Sequence, residues 1–211
     1  MAERAALALI DYGAGNLHSV ENALRAAGAE VTVTADADVV GRAERIVLPG
    51  VGAFGACAAG LRSVDGMVEA MERRVRRDGA PFLGICVGMQ LLATRGLEHG
   101  ETPGLDWIAG EVRRIEAAHN SVKVPHIGWN DVKPMPHPGA ADDLIVDGEA
   151  YFLHSYSFYP DEGRDIAAMT DHGGGLVAAV ARDNMLGVQF HPEKSQRYGL
   201  GLLERFLEWK P

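Results

Sequence analysis

Apolar positions in the first half of the chain recur in two patterns. Short apolar or alternating runs at Ala5–Asp11, Glu30–Thr34, Arg45–Leu48 and Pro81–Ile85 read as strands, and the stretches between them carry helical spacing. Amphipathic residues run on to Ala27. A helical region covers roughly Phe54–Arg77 with a break near Ser63-Val64-Asp65-Gly66, and a helix-like stretch follows at Met89–Ala93. Alternation of this kind predicts a mostly parallel sheet flanked by helices. From Gly110 the pattern changes to short strand candidates, at Glu111–Ile115, Tyr151–Phe158, Asp165–Thr170, Leu176–Arg182 and Met185–Phe190. Turn signals such as Asp171-His172-Gly173-Gly174-Gly175 and Asp183-Asn184 separate them, and Leu176–Phe190 reads as an antiparallel hairpin. An amphipathic helix at Tyr198–Trp209 gathers Leu202, Leu203, Phe206 and Trp209 on one face. The Pro- and His-rich stretch Ala117–Asp143 shows little periodicity and reads as loop. No repeat or linker interrupts the pattern. The expectation is one α/β domain over residues 1–211, a parallel sheet with helices around it and an added antiparallel region.

Composition narrows the class. At 211 residues the chain is long enough for one packed core and short for two. With 47% hydrophobic and 23% charged residues it is ordinary for a globular protein, and a net charge of −9 argues against nucleic acid as the main ligand. No apolar run approaches the ~18 residues that span a bilayer. The start, Met1-Ala2-Glu3-Arg4, lacks the features of a signal peptide. Two cysteines, Cys57 and Cys86, make a disulfide scaffold improbable and favour a reducing, cytoplasmic location.

Candidate chemistry sits at two strand ends. Gly84-Ile85-Cys86-Val87-Gly88 places a thiol between glycines at a strand-to-helix junction, the nucleophile elbow, where the helix N-terminus favours thiolate. Gln189-Phe190-His191-Pro192-Glu193 ends another strand. Residues two apart on extended backbone face the same way, so Glu193 can orient His191 while His191 serves Cys86. Pro49-Gly50-Val51-Gly52 follows a third strand and suits an oxyanion-binding loop, with the N–H of Val87 as the natural second donor. Glycines at 50 and 52 would allow a peptide flip that gates this loop. The glycines of Tyr12-Gly13-Ala14-Gly15 do not make a dinucleotide fingerprint, because the third position holds His18. His154 reads as a core residue near the site. His18, His99, His119, His126, His137 and His172 lack metal-ligand spacing, so no metal and no cofactor is expected. Cys57 reads as a small residue at a helix contact, and the Arg73, Arg74, Arg76, Arg77 run as a solvated helix face.

Gly84-Ile85-Cys86-Val87-Gly88-Met89-Gln90 followed by Gly187-Val188-Gln189-Phe190-His191-Pro192-Glu193-Lys194-Ser195 resembles the class I (triad) glutamine amidotransferases along essentially the whole chain. Within the family, Ile10-Asp11-Tyr12-Gly13-Ala14-Gly15-Asn16-Leu17, Pro49–Phe54 and His126-Ile127-Gly128-Trp129-Asn130 are similar to the branch that serves histidine biosynthesis. The resemblance implies hydrolysis of glutamine to glutamate and ammonia by a Cys86-His191-Glu193 triad. Val51 or Gly52 and Val87 would form the oxyanion hole. Gln90 and Glu98, helped by Ser155 and Tyr156, would hold the amino-acid end of glutamine. It further implies a (β/α)8-barrel cyclase partner that receives the ammonia in a heterodimer, with Asn16, Trp129, Tyr151 and Lys194 at the interface. Amidotransferases feeding vitamin B6, purine or anthranilate synthesis would keep the triad, a partner-free γ-glutamyl peptidase would use the same fold, and a non-catalytic regulatory subunit would need the triad broken.

Overall fold

A computed structural model describes residues 6–116, 123–136, 141 and 143–211. Strand β1 (Ala6–Ile10) leads through a glycine loop into helix α1 (Leu17–Ala26), then β2 (Glu30–Thr34), the short α2 (Ala37–Val40) and β3 (Arg45–Gly50). Helices α3 (Phe54–Ser63) and α4 (Met67–Met71) follow, the second running on into a π-helical stretch, Glu72–Arg77. The break between them falls at the expected Ser63–Gly66, where Gly66 adopts φ 67°. Strand β4 (Phe82–Cys86) passes directly into α5 (Val87–Gln90). Then come β5 (Arg95–Gly96), β6 (Thr102–Pro103), β7 (Gly110–Arg114), β8 (His126–Pro134), β9 (Gly148–His154) and β10 (Tyr156–Pro160). The chain closes with β11 (Ile166–Asp171), β12 (Gly175–Arg182), β13 (Met185–Val188), a 3-10 turn at Pro192–Lys194 and α6 (Gln196–Glu208).

The main sheet has the order β2-β1-β3-β4-β13-β12-β11-β8-β9, and a smaller one runs β10-β7-β5-β6. Pairing is parallel from β2 to β13 and antiparallel from β13 to β9. The fold is therefore the mixed α/β arrangement expected, with β13 as the seam. β3, β4 and β13 are buried at every position, which explains their unbroken apolar runs. Helices gather in two groups, α1 against α6 and α2 with α3 against α4. Fully buried Phe54, Phe82, Phe152, Phe158, Phe190 and Phe206 anchor the core, each contributing roughly 1.5–3 kcal/mol by leaving water.

Two expectations are corrected. Residues 126–134, inside the stretch read as loop, form β8. Its alternation is inverted: His126 is buried while Ile127 and Trp129 are exposed, so the apolar pattern that marks a strand points outward. Residues 117–122, 137–140 and 142 of that stretch, with His119 and His137, lie outside the described residues. The single strand expected over Tyr151–Phe158 is two, split at Ser155, with β9 in the main sheet and β10 in the small one.

Candidate active site

Strands β3, β4 and β13 lie side by side and parallel, in register Pro49↔Ile85, Gly50↔Cys86 and Val188↔Ile85. All three therefore deliver their following residues to one edge of the sheet. That edge collects Cys86 from β4, the Val51-Gly52 loop from β3 and His191 beyond β13. Ligand sites of parallel sheets form at this carboxyl edge, where loops leave in different directions.

Cys86 has φ 55° and ψ −111°, a backbone conformation that costs a non-glycine residue of order 1–3 kcal/mol and recurs at functional sites. The turn requires its glycine neighbour. A Cβ on Gly88 would stand 1.9 Å from the carbonyl oxygen of Leu48, and one on Gly50 would stand 2.7 Å from the Gly88 nitrogen. Position 50 thus accepts only glycine for its close approach to the elbow, and of the two glycines expected to permit a flip Gly52 is the one with positive φ, 99°. Helix α5 is a single short turn, so the charge partner of Cys86 is mainly His191.

The His191 ring and the Glu193 carboxylate are both buried, and Nδ1 donates to Oε1 at 2.8 Å. The 3-10 turn at Pro192–Lys194, and not continued extended backbone, brings the carboxylate to the ring. Burial alone would lower the affinity of His191 for a proton. Hydrogen bonding and charge from Cys86 and Glu193 outweigh it and lift the pKa to about 9. At neutral pH the ring holds the proton opposite the sulfur.

In front of the sulfur is a cavity of about 300 Å³. Val51, Gly52, Cys86, Val87, Gln90, Glu98, Ser155, Tyr156, His191 and Lys194 all line it, so each residue expected to bind substrate or oxyanion meets at one place. Glu193 stands behind His191. Gln90 Nε2 donates to the Tyr156 carbonyl and to Gln189 Oε1, both at 3.0 Å, which occupies its two N–H groups and leaves its carbonyl oxygen for a ligand. Glu98 Oε2 accepts the Phe54 N–H at 2.7 Å, capping α3 from a distance. Of the residues expected at a partner interface, Trp129 and Tyr151 are cross-strand partners with rings in edge contact at 6.2 Å, and Lys194 lies 5.8 Å over the Tyr151 ring. Asn16 is half-buried at the start of α1, which packs against the Pro192–Lys194 turn.

Sequence reasoning missed several contributors. Tyr12 Oη donates to the Pro49 carbonyl at 2.7 Å, and the Cys57 thiol donates to the Val51 carbonyl at 3.3 Å, so Cys57 does more than fill a helix contact. Gln189, fully buried, points its amide at Cys86. His126, His154 and His172 cluster beside the cavity, with His126 stacked on His172 at 4.1 Å and hydrogen-bonded to His154 at 3.0 Å. Gln189 was open to discovery, since it shares the two-residue spacing of His191. Tyr12 and Cys57 carried no local signal, because their partners lie on another strand or loop.

The glutamine amidotransferase class-I family profile matches residues 8–208. The chain is 54% identical to imidazole glycerol phosphate synthase subunit HisH of Zymomonas mobilis, over 97% of this chain and 96% of that one. With the subunit of the same name in Caulobacter vibrioides it shares 52%, over 97% and 99%. Among solved structures, a glutamine amidotransferase crystal structure superposes with TM-score 0.73 at 19% identity, covering 95% of this chain and 97% of that one. PurLQS from Thermotoga maritima gives 0.71 at 15%, covering 98% of each. Matched over nearly its whole length, and bearing a cysteine on a strained elbow beside a buried His–Glu pair, the chain belongs to the class-I glutamine amidotransferases.

Proposed function

We propose that this chain is the glutaminase subunit of imidazole glycerol phosphate synthase, one amidotransferase domain over residues 1–211 that acts in the cytoplasm. The observation that carries the reading is the buried His191–Glu193 pair beside Cys86, at a cavity whose lining also includes Val51, Gly52, Val87, Gln90 and Glu98. The Cys86 sulfur attacks the side-chain amide carbon of glutamine. The carbonyl oxygen takes the negative charge and is met by the Val87 N–H with a backbone N–H of Val51 or Gly52. His191 gives its proton to the departing nitrogen, and ammonia leaves behind a γ-glutamyl thioester. His191 then takes a proton from water, whose oxygen attacks the thioester carbon; glutamate departs and the thiolate is restored. Gln90 and Glu98 receive the α-ammonium, with Ser155 and Tyr156 beside the α-carboxylate.

Ammonia then passes to a (β/α)8-barrel cyclase subunit, which makes imidazole glycerol phosphate and aminoimidazole carboxamide ribotide. The β8–β9 ribbon supports this partner. Its outer face carries exposed Ile127, Trp129 and Leu153, with Tyr151 paired to Trp129, and exposed Val51 and Lys194 stand at the cavity. An apolar rim around a catalytic mouth suits a lid that keeps ammonia from water. Among the described residues no helix is long and apolar enough to cross a membrane.

The deciding experiment is glutamine hydrolysis by the purified chain, alone and with the barrel cyclase and its ribotide ligand. Slow hydrolysis alone, a large rise in the full mixture and silence in Cys86→Ala are expected. Full activity without the cyclase would keep the triad and discard the pathway assignment.

A further inference from the structure

Gln189 is fully buried, on the stretch that continues β13 toward His191. An amide enclosed in this way is retained only where its hydrogen-bonding groups find partners. Its backbone N–H is spent on the Ala178 carbonyl at 2.9 Å. Its side chain reaches two residues of the site. Nε2 donates to Cys86 Sγ at 3.7 Å, and Oε1 accepts from Gln90 Nε2 at 3.0 Å.

We infer that Gln189 is a positioning residue for the reaction: its amide N–H holds and stabilises the attacking sulfur, while its carbonyl fixes the orientation of the Gln90 amide that receives substrate. The inference deepens the proposed function and rests on Cys86 being the nucleophile. Two arguments carry it. A donor aimed at a sulfur that must carry negative charge favours the charged form, and in a buried setting such bonds exceed the neutral kind. The Gln90 amide is held by two acceptors, the Tyr156 carbonyl and Gln189 Oε1. With both N–H groups engaged by Gln189 Oε1 and the Tyr156 carbonyl, its oxygen is the atom presented to the α-ammonium of glutamine. One side chain thus meets the sulfur and, together with the Tyr156 carbonyl, sets which end of Gln90 faces the ligand. His191 follows it at a spacing of two, so the stretch that continues β13 supplies both groups that act on the thiol.

The test compares wild type with Gln189→Met, which keeps the volume and removes donor and acceptor. Iodoacetamide labelling of Cys86, mapped by mass spectrometry, is followed against pH in a Cys57→Ala background. Cys86 is faced by His191 with Glu193 behind it, lies within charge reach of Tyr12 and Cys57, and His154 lies within charge reach of His191; Gln189→Met leaves Tyr12, His154, His191 and Glu193 in place. The half-maximal pH should rise by about one unit, which is roughly tenfold slower labelling below it, with the high-pH plateau unchanged. KM for glutamine in the cyclase complex should rise as well. An unmoved half-maximal pH, or a lowered plateau without a shift, overturns the inference and leaves Gln189 a packing residue. Should Gln189→Met fail to fold, the side-chain amide nitrogen of Gln189 is followed by NMR in the otherwise unaltered protein. It should move with pH together with Cys86 labelling and stay still in Cys86→Ala; a signal indifferent to Cys86 overturns the inference too. Hydrolysis surviving Cys86→Ala marks a different failure, that of the nucleophile assignment itself.

Discussion

Cys86 and, after it, Glu193 keep His191 charged against its burial. The Glu193 carboxylate accepts the Nδ1–H bond at 2.8 Å from inside the fold, where little water competes. Glu193→Gln keeps the shape and removes the charge. The affinity of the ring for its proton must fall, so the alkaline limb of glutamine hydrolysis, set by a group near 9, should move to lower pH. Turnover should drop roughly 10²-fold or more, and a pH profile of kcat/KM in the cyclase complex reads both effects. A limb that does not move would show that the carboxylate is not what raises His191. The same pair has a stability sign. The folded ring holds a proton up to about 9 and the unfolded ring up to about 6.5, so its stabilising contribution is complete below 6.5 and is lost as pH rises through 9. At this scale the grouping of Cys86, His191 and Glu193 was legible, because each sits in a short motif with its own turn chemistry. Gln189 was legible only in part: its spacing of two from His191 puts both on one side of the chain, but nothing local says that it meets Cys86 and Gln90.

Among the elements, the Pro49–Gly52 segment is tied from outside itself. Tyr12 holds its first carbonyl and Cys57 its third. Tyr12→Phe leaves the buried Pro49 carbonyl without this donor, a loss of about 1–3 kcal/mol in folding. On the oxyanion role proposed for this segment it should also slow glutamine turnover, because a donor that wanders stabilises less. Labelling of Cys86 needs no oxyanion hole and should keep its wild-type rate; equal losses in both assays would place the effect on the thiol instead. The elbow is less forgiving. Gly88→Ala sets a methyl against the Leu48 carbonyl and should cost about 3 kcal/mol or more in urea unfolding. Strands buried on both faces were readable from their apolar runs. β8 was not, because its outward side carries Ile127 and Trp129 and its inward side carries His126 and Asn130. A ribbon that turns its apolar side outward inverts the rule by which strands are recognised.

For the molecule as a whole, the antiparallel half is joined near the cavity by the histidine cluster, which links β8, β9 and the β11–β12 turn. Burial and the neighbouring His154 and His172 lower the His126 pKa to about 3, and burial lowers that of His154 to about 4. Unfolded histidine takes up protons near 6.5, so stability present above that pH is lost as it falls toward 4. Each ring adds a slope of up to about 1.4 kcal/mol per pH unit. Urea melts between pH 7 and 4.5 should show it, and His126→Gln should flatten it; an unchanged slope would exclude His126 as a source. The strand order itself could not be read from the sequence, since nothing local says that residues 185–188 insert beside residues 82–86. That insertion makes β13 a ruler. Asn184 pins its start through the Val75 and Ala80 carbonyls, and the Glu193 carboxylate marks its end. One residue added or removed between those marks would turn His191 to the opposite face of the sheet while leaving the apolar composition untouched. The reach from Asn184 to Glu193 is therefore set by the number of residues in it, and a change of length there would part His191 from Cys86 without disturbing the core.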